Sequence, residues 1–174
     1  MEVFANQANE KTINFAEARD KLVAVVRERA LFEHAKTIWS TEQGTPVTHA
    51  FAHEPLTAWF AKCVAVDFPG HLSIVMGSQL ETWGRTFDEV YSLGLTRLRE
   101  CSPPLFRQED GVFISTWKDD YDSSRILVPE LFHDLHLNGD PVVALPNRLS
   151  LLHRIQHPAA ARGAGVYVRL AGGN

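Results

Sequence analysis

Apolar residues along this chain fall into short runs bounded by turn residues, a pattern typical of strands and hairpins. Residues 22–26 (LVAVV) have the length and β-branched content of a buried strand. Residues 58–68 (AWFAKCVAVDF) form a longer run of the same kind, and their length suggests a central strand. Residues 71–76 resume a strand after Pro69-Gly70, so we predict an antiparallel hairpin closed by this turn.

Alternation along the hairpin also predicts which side chains are buried. Successive residues of a strand point to opposite faces of the sheet, so every second side chain shares a face. We therefore predict one buried face, made of Val64, Val66, Phe68, Leu72 and Ile74. Asp67 and Ser73 are expected to point away from it.

The clearest helix pattern lies at residues 86–99. Thr86 and Glu89 have the T-x-x-E spacing of a capping box at its start. Apolar residues and one glycine recur at helical spacing: Phe87, Val90, Tyr91, Gly94, Leu95 and Leu98. We expect this face, Leu95 included, to be buried, with another backbone packed closely over Gly94.

Shorter patterns indicate three more helical segments and a second hairpin. The helical segments are predicted at residues 12–18, 27–39 and 78–83. Apolar residues 105–106 and 112–115, which flank a Glu-Asp-Gly turn, predict the second hairpin.

The second half of the chain is organised around a polar segment between two apolar runs. Residues 112–115 and 142–145 are the apolar runs, and both predict strands. Residues 118–125, called the acidic turn below, follow the first run. An amphipathic segment at 129–137 begins with proline and predicts a helix. The expected order is therefore strand, acidic turn, helix, strand.

Together these elements predict an α+β fold with a mostly antiparallel sheet of hairpins and helices packed on one face. Residues 149–155 are either a return strand or a short helix, since periodicity cannot separate the two, and we favour the strand. We assign one domain to residues 20–156, after a polar lead-in at 1–19. An Ala/Gly/Arg-rich tail at 157–174 follows, with one strand-like run at 166–170.

Composition narrows the expected partners and the compartment. The 174 residues are 45% hydrophobic and 22% charged, as in ordinary globular domains. A net charge of −4 without a basic run gives no reason to expect nucleic acid or an anionic membrane as a partner. The first residues are too polar for a secretory signal, and no apolar run approaches the roughly 20 residues of a membrane span. Cys63 and Cys101 lack disulfide or zinc spacing, so reduced thiols and a cytoplasmic location are expected.

The acidic turn holds the densest set of polar side chains: Asp119, Asp120, Asp122, Ser124 and Arg125. Carboxylate and hydroxyl oxygens from Asp119, Asp122 and Ser124 suit a divalent cation. The same residue types also build Asx turns and helix caps, with Arg125 neutralising the carboxylates. We favour this structural interpretation, in which Arg125 bonds at least one of the three aspartates and Asp120 faces water.

Other candidate chemistry is weaker. His133, Asp134 and His136 form a cluster in the sequence. The two histidines are three residues apart, whereas metal-binding histidine pairs on a helix prefer a spacing of four residues. No metal site is assigned to them. The common nucleophile, phosphate-binding and zinc-protease motifs are absent from the sequence, so no catalytic residue and no cofactor is predicted. Three tryptophans are expected in core or cap positions rather than in a stacking platform: Trp59, Trp83 and Trp117.

Four segments together resemble a bacterial family of proteins of unknown function, the YtpQ-like family. They are LVAVVRER at 22–29, VAVDFPGHLSIV at 64–75, LETWGRTFDEVYSLGLTRLR at 80–99 and DDYDSSRILVPELFHDLHLNGDPVVALPNR at 119–148. The resemblance covers roughly residues 20–152 and leaves the tail outside. Family members usually have a longer N-terminal region and, after the Pro-x-Arg segment, a further helical portion, where this chain has its Ala/Gly/Arg-rich tail. Because the family has no assigned activity, the resemblance implies a cytoplasmic α+β protein and carries over no catalytic residue.

These observations favour a noncatalytic binding or accessory module whose partner is an unidentified protein or small molecule. The alternative is a metal-assisted hydrolase that uses Asp119, Asp120 and Asp122 of the acidic turn. The candidate ligand-binding residues are Asp119, Asp122, Ser124, Arg125 and Arg148, the last of which closes the Pro-Asn-Arg segment.

Overall fold

The computed structural model describes residues 13–35, 51–104, 106–109, 112–117, 119–135, 141–147, 150–155 and 167–169. Within these ranges every strand pairing is antiparallel and helices accompany the strands, so the predicted α+β class is confirmed. The chain forms two compact units, Met1–Arg97 and Leu98–Asn174, and the strands of each unit form a sheet. In the described residues, no helix combines the length and apolar character that a membrane crossing requires.

The described strands of the first unit form a four-stranded sheet, in which one strand pairs with the three others. They are β1 (Leu22–Glu28), β2 (His53–Pro55), β3 (Phe60–Phe68) and β4 (His71–Ile74). Strand β3 pairs with β1 along its length, and with β2 and β4 at different positions. The central place expected for the longest apolar run is therefore confirmed.

The hairpin of β3 and β4 is confirmed, but the predicted burial of β4 is wrong. Gly70 has a φ of 87°, which glycine adopts without strain in this tight turn. Val66 pairs with Ser73, so Ser73 lies on the face of Val66 and is only 8% exposed. Leu72 instead pairs with Asp67 on the opposite face. Across the two-residue turn, even-numbered residues of β3 pair with odd-numbered residues of β4. The prediction instead placed even-numbered residues of both strands on one face.

In the described residues of this unit, four helices accompany the sheet. They are α1 (Phe15–Ala18), α2 (29–35), α3 (Gly77–Trp83) and α4 (Phe87–Glu100), and one turn of 3-10 helix (Arg19–Lys21) follows α1. Side chains from α1, the strands and α4 share a buried cluster: Ala18, Leu22, Val64, Val66, Val75 and Val90. The predicted short helices at 12–18 and 78–83 are confirmed where the structure describes them. The helix predicted at 27–39 begins at residue 29, because Arg27 and Glu28 still belong to β1, and its residues 36–39 lie outside the described ranges.

Helix α4 begins with the predicted capping box. The backbone N–H of Glu89 donates to Oγ1 of Thr86 at 3.3 Å, and the N–H of Thr86 donates to Oε2 of Glu89 at 2.9 Å. Val90 and Leu98 are fully buried. Leu95 is only half-buried, so its predicted burial is wrong. The buried line runs through positions 90, 94 and 98, and residue 95 lies at the margin of the apolar face.

Gly94 allows α4 to contact β1 backbone to backbone, as the sequence predicted. A Cβ atom at this position would lie 2.7 Å from the backbone nitrogen of Ala24 and 2.9 Å from the carbonyl carbon of Val23. Both distances are shorter than real Cβ contacts. Only glycine fits here without a shift of the helix or the strand.

The second unit has a five-stranded sheet. Its strands are β5 (Phe106–Glu109), β6 (Val112–Ser115), β7 (Pro141–Asn147), β8 (Ser150–Ile155) and β9 (Tyr167–Arg169). Their order is β5-β6-β8-β7-β9. The second predicted hairpin is confirmed as β5 and β6, and the described part of segment 149–155, Ser150–Ile155, is strand rather than helix. The strand-like run of the tail is β9, which pairs with β7.

Between β6 and β7 the chain forms two 3-10 helices, Asp122–Leu127 and Pro129–Leu135. The predicted order of elements is confirmed, although the helix expected at 129–137 is of the 3-10 type where the structure describes it. Val128 separates the two helices with φ −119° and ψ 73°. A residue before proline is driven out of the helical region, which explains the break at this position.

Candidate functional site

The acidic turn folds as its residue types dictate. The backbone N–H of Tyr121 donates to Oδ1 of Asp119 at 2.9 Å, which is an Asx turn. The carbonyl of Tyr121 then accepts hydrogen bonds from the N–H groups of Ser124 (2.8 Å) and Arg125 (3.2 Å). The turn therefore leads directly into the first 3-10 helix and directs Arg125 inward.

Arg125 is the centre of the site, and its side chain has no exposed surface. Its Nη1 and Nη2 donate to Oδ1 and Oδ2 of Asp119 at 2.6 and 2.7 Å. This bidentate geometry is the strongest form of arginine–carboxylate pairing. The predicted bond between Arg125 and an aspartate of the turn is confirmed.

The rest of the guanidinium is also engaged. Nε donates to Oγ of Ser102 at 2.9 Å, and Nη2 donates to the carbonyl oxygen of Cys101 at 3.1 Å. The guanidinium carbon lies 4.4 Å from the ring centroid of Trp117, within cation–π distance. Trp117 is fixed in turn, because its Nε1 donates to the carbonyl of Pro103 at 2.8 Å. Arg125 thus connects the acidic turn to the segment that follows α4.

The other candidate residues of the turn divide into buried and exposed. Asp122 is 1% exposed, and its Oδ1 lies 3.7 Å from Nη1 of Arg125, which is an ion pair longer than a hydrogen bond. Ser124 is fully buried. Asp120 is exposed, as predicted. The structure therefore brings Asp119, Asp122 and Arg125 together.

This arrangement fits a structural ion pair better than a cation site. Both carboxylate oxygens of Asp119 already accept hydrogen bonds from Arg125, and a metal would have to compete with a fixed positive charge. Among the residues that the structure describes, no group of three or more His, Cys, Asp or Glu side chains is placed to hold a metal ion. His133 is exposed. The side chain of Asp134 lies outside the described residues, as do His136 and Arg148.

Sequence reasoning missed the partners of Arg125 that come from outside the turn. Ser102 is 4% exposed and stands between Cys101 and Pro103, where nothing in the local pattern marks it as a contact of Arg125. The predicted core or cap position of Trp59 is also wrong, because its side chain is 67% exposed. Residues 58–68 form one continuous apolar run, and nothing in this pattern indicates that its first two residues belong to a turn.

The cysteines differ in their surroundings. Cys63 is fully buried, and burial raises the pKa of its thiol to about 12, so it is a core side chain that does not ionise near neutral pH. Cys101 is exposed, and its Sγ lies 3.4 Å from the carbonyl oxygen of Leu98. Both are thiols rather than disulfides.

Asp119 predicts a pH dependence of stability. Partial burial opposes its charged form, but hydrogen bonds from Arg125 and the N–H of Tyr121, with the Arg125 charge, outweigh burial and hold its pKa below the usual 3.8. The unfolded chain therefore takes up this proton at a higher pH than the folded chain. The stabilisation is complete above the unfolded pKa and is lost as the pH falls through the lower, folded pKa.

Urea unfolding of the wild type and of Asp119→Asn across the acidic range measures this effect. We expect the wild type to be the more stable at neutral pH, with a difference that shrinks as the pH falls below the ordinary pKa of an aspartate. A difference that stays constant across the same range would show that the charge of Asp119 contributes nothing to folding.

No family model matches the chain, and no curated protein and no solved structure matches it.

Proposed function

We propose that this chain is a noncatalytic cytoplasmic binding module that docks on a protein partner through the turn between β2 and β3. This turn, residues 56–59, is called the Trp59 turn below. The observation that carries the proposal is the exposure of two large apolar side chains on it, Trp59 at 67% and Leu56 at 36%. Contiguous exposed apolar side chains are typical of interaction sites.

The backbone of the Trp59 turn is held by local hydrogen bonds. The N–H groups of Leu56 and Thr57 both donate to the carbonyl of Phe60, at 2.9 and 3.0 Å. Oγ1 of Thr57 accepts hydrogen bonds from the N–H groups of Trp59 (3.2 Å) and Phe60 (3.0 Å). Four N–H groups and two acceptor oxygens are thus joined in a local network.

The turn is also attached to the start of α2. The N–H of Arg29 donates to the carbonyl of Trp59 at 2.9 Å, and Nη1 of Arg29 lies 3.3 Å from the carbonyl oxygen of Ala58. A partner that binds Trp59 therefore meets a preorganised backbone, which lowers the ordering entropy lost on binding. Tryptophan is enriched among the residues that dominate protein interfaces, and an apolar pocket on a protein would cover its indole ring.

The acidic turn supports the noncatalytic part of the proposal. The bidentate contact of Arg125 with Asp119 commits both groups to the fold, whereas the metal-assisted hydrolase needs the carboxylates of Asp119, Asp120 and Asp122 for a cation. The reduced cysteines support a cytoplasmic location. We further propose that the chain is a bacterial YtpQ-like protein, for which the four resembling segments are the support.

To test the proposal, the wild type, Trp59→Ser and Thr96→Ser are each immobilised and incubated with an extract of the source cells, and the captured proteins are compared. Trp59→Ser is expected to remove a discrete captured protein while leaving the free energy of unfolding within about 0.5 kcal/mol, because an exposed side chain contributes little to folding. Thr96 is exposed on α4, so Thr96→Ser is expected to capture the same protein as the wild type.

The captured protein, once purified, is then titrated against all three variants. We expect at least tenfold weaker binding to Trp59→Ser than to the wild type, the loss typical of a central interface residue. Equal capture and equal affinity for the wild type and Trp59→Ser would contradict the proposal.

A further inference from the structure

A surface groove of about 450 Å³ lies in the unit Met1–Arg97, away from the Trp59 turn in sequence. It is lined by Phe15, Ala16, Arg19, Asp20, Arg85 and Leu93. Small-molecule sites have volumes of roughly 300–1,000 Å³ and combine apolar walls with a few polar groups. The lining of this groove has both features.

Arg19 supplies the first cation of the groove. It lies in the 3-10 turn after α1, and its side chain is exposed. No residue in the described part of the chain accepts a hydrogen bond from its guanidinium or forms an ion pair with it. The described residues therefore leave its five N–H donors available to a ligand.

Arg85 supplies the second cation and is held in position by an aromatic ring. Its guanidinium carbon lies 4.8 Å from the ring centroid of Phe15, within cation–π distance. The nearest acidic group in the described ranges is Glu89, and its Oε1 lies 3.7 Å from Nη1, longer than a hydrogen bond. The ring thus orients the guanidinium without using its hydrogen-bond donors.

Apolar side chains provide the rest of the groove. Phe15 is fixed by contact with Trp83, with the two ring centroids 5.7 Å apart. Ala16 and Leu93 add aliphatic surface to the lining. A ligand with an apolar body would lie on these side chains while its charged end met the guanidinium groups.

We propose that this groove binds a small organic monoanion, a carboxylate carried on an apolar body. The lining holds two guanidinium groups and the carboxylate of Asp20, and Glu89 lies beside Arg85. Arg19 is thus the guanidinium without an ion-pair partner among the described residues, and a ligand with a single carboxylate suits it. Arginine pairs with carboxylates in bidentate geometry. Asp20 would repel the second negative charge of a phosphate monoester, which favours the carboxylate. This second binding function goes beyond the Trp59 turn and does not depend on it.

Titration calorimetry of the full chain with 3-phenylpropionate tests the proposal, and its neutral amide and phenyl phosphate serve as comparison ligands. We expect saturable binding of the carboxylate, with about tenfold weaker binding of the amide, because a charge-assisted hydrogen bond is lost. Phenyl phosphate is expected to bind more weakly than the carboxylate.

Three variants separate the groove from general surface charge. Arg19→Gln is expected to weaken carboxylate binding about tenfold, and Asp20→Asn to strengthen it severalfold by removing the repelling charge. Arg107→Gln changes an exposed arginine of β5 and is expected to bind like the wild type. Melting temperatures of the three variants show whether each is folded.

Three results would overturn the inference. They are no saturable binding of the carboxylate, equal affinity for the carboxylate and its amide, or phenyl phosphate binding more tightly than the carboxylate. If Asp20 repels the ligand, Asp20→Asn must bind the carboxylate more tightly than the wild type does. Weaker binding to this variant would therefore contradict the role assigned to Asp20.

Discussion

Replacing Arg125 with alanine is expected to lower the free energy of unfolding by about 3–5 kcal/mol, the range for breaking a buried ion pair from one side. The guanidinium is fully buried and donates to Asp119, Ser102 and the carbonyl of Cys101. Its removal also takes away the cation 3.7 Å from the buried carboxylate of Asp122. Truncation leaves a cavity beside Trp117 as well, which adds to the loss.

Two further variants isolate the cause of that loss. Arg125→Lys keeps the charge but cannot make the bidentate contact or the same ring stacking, so it is expected to restore only part of the stability. Asp120→Ala removes an exposed carboxylate of the same turn and is expected to change stability by no more than about 0.5 kcal/mol. Urea unfolding measures all three. A loss below about 1 kcal/mol for Arg125→Ala would place the pair among weak surface ion pairs.

Gly94→Ala is expected to destabilise the protein by about 2 kcal/mol, although alanine is about 1 kcal/mol better than glycine inside a helix. The added Cβ would approach the backbone of Val23 and Ala24 to within 3 Å. Backbone atoms of a buried strand cannot rotate away as a side chain does, so α4 or β1 has to shift. Gly94→Val is expected to lose more, because its branched side chain enlarges the overlap.

Ser92→Ala is the matched control for Gly94, because residue 92 lies on the exposed side of the same helix. It is expected to change the free energy of unfolding by no more than about 0.5 kcal/mol. Urea unfolding at neutral pH compares the two sites. A Gly94→Ala variant as stable as the wild type, or more stable, would contradict the backbone contact between α4 and β1.

The parts of the fold that could be predicted from sequence depend on local interactions. The capping box of α4 joins Thr86 to Glu89, three residues away, and the turn at Gly70 joins adjacent strands. Such contacts leave a pattern in a short stretch of sequence. The close approach over Gly94 joins α4 to residues distant in sequence, Val23 and Ala24. It was still predictable, because a glycine on an apolar helix face is unfavourable unless a backbone lies against it.

The errors arose where the outcome depends on register or on distant segments. Ser73 is buried because a two-residue turn exchanges odd and even positions between β3 and β4. Leu95 is half-buried because the direction from which β1 contacts α4 selects positions 90, 94 and 98.

In the candidate site, too, contacts between residues close in sequence could be predicted and contacts between distant residues could not. The bond of Arg125 to Asp119 spans six residues and was predicted from the charges of the turn. The bond of Arg125 to Ser102 spans 23 residues and leaves no trace in either local sequence. Trp59 was predicted to lie in the strand, but β3 begins at Phe60, so Trp59 belongs to the preceding turn and is exposed.

Thermal unfolding with Mg²⁺, Mn²⁺ or Ca²⁺ tests most directly the claim that the acidic turn serves the fold and not a metal. A cation that binds only the native state at 100 times its dissociation constant stabilises the protein by about 2.7 kcal/mol. We expect that none of the three cations raises the melting temperature of the wild type more than that of Asp122→Asn. A rise of several degrees in the wild type that Asp122→Asn abolishes would contradict it.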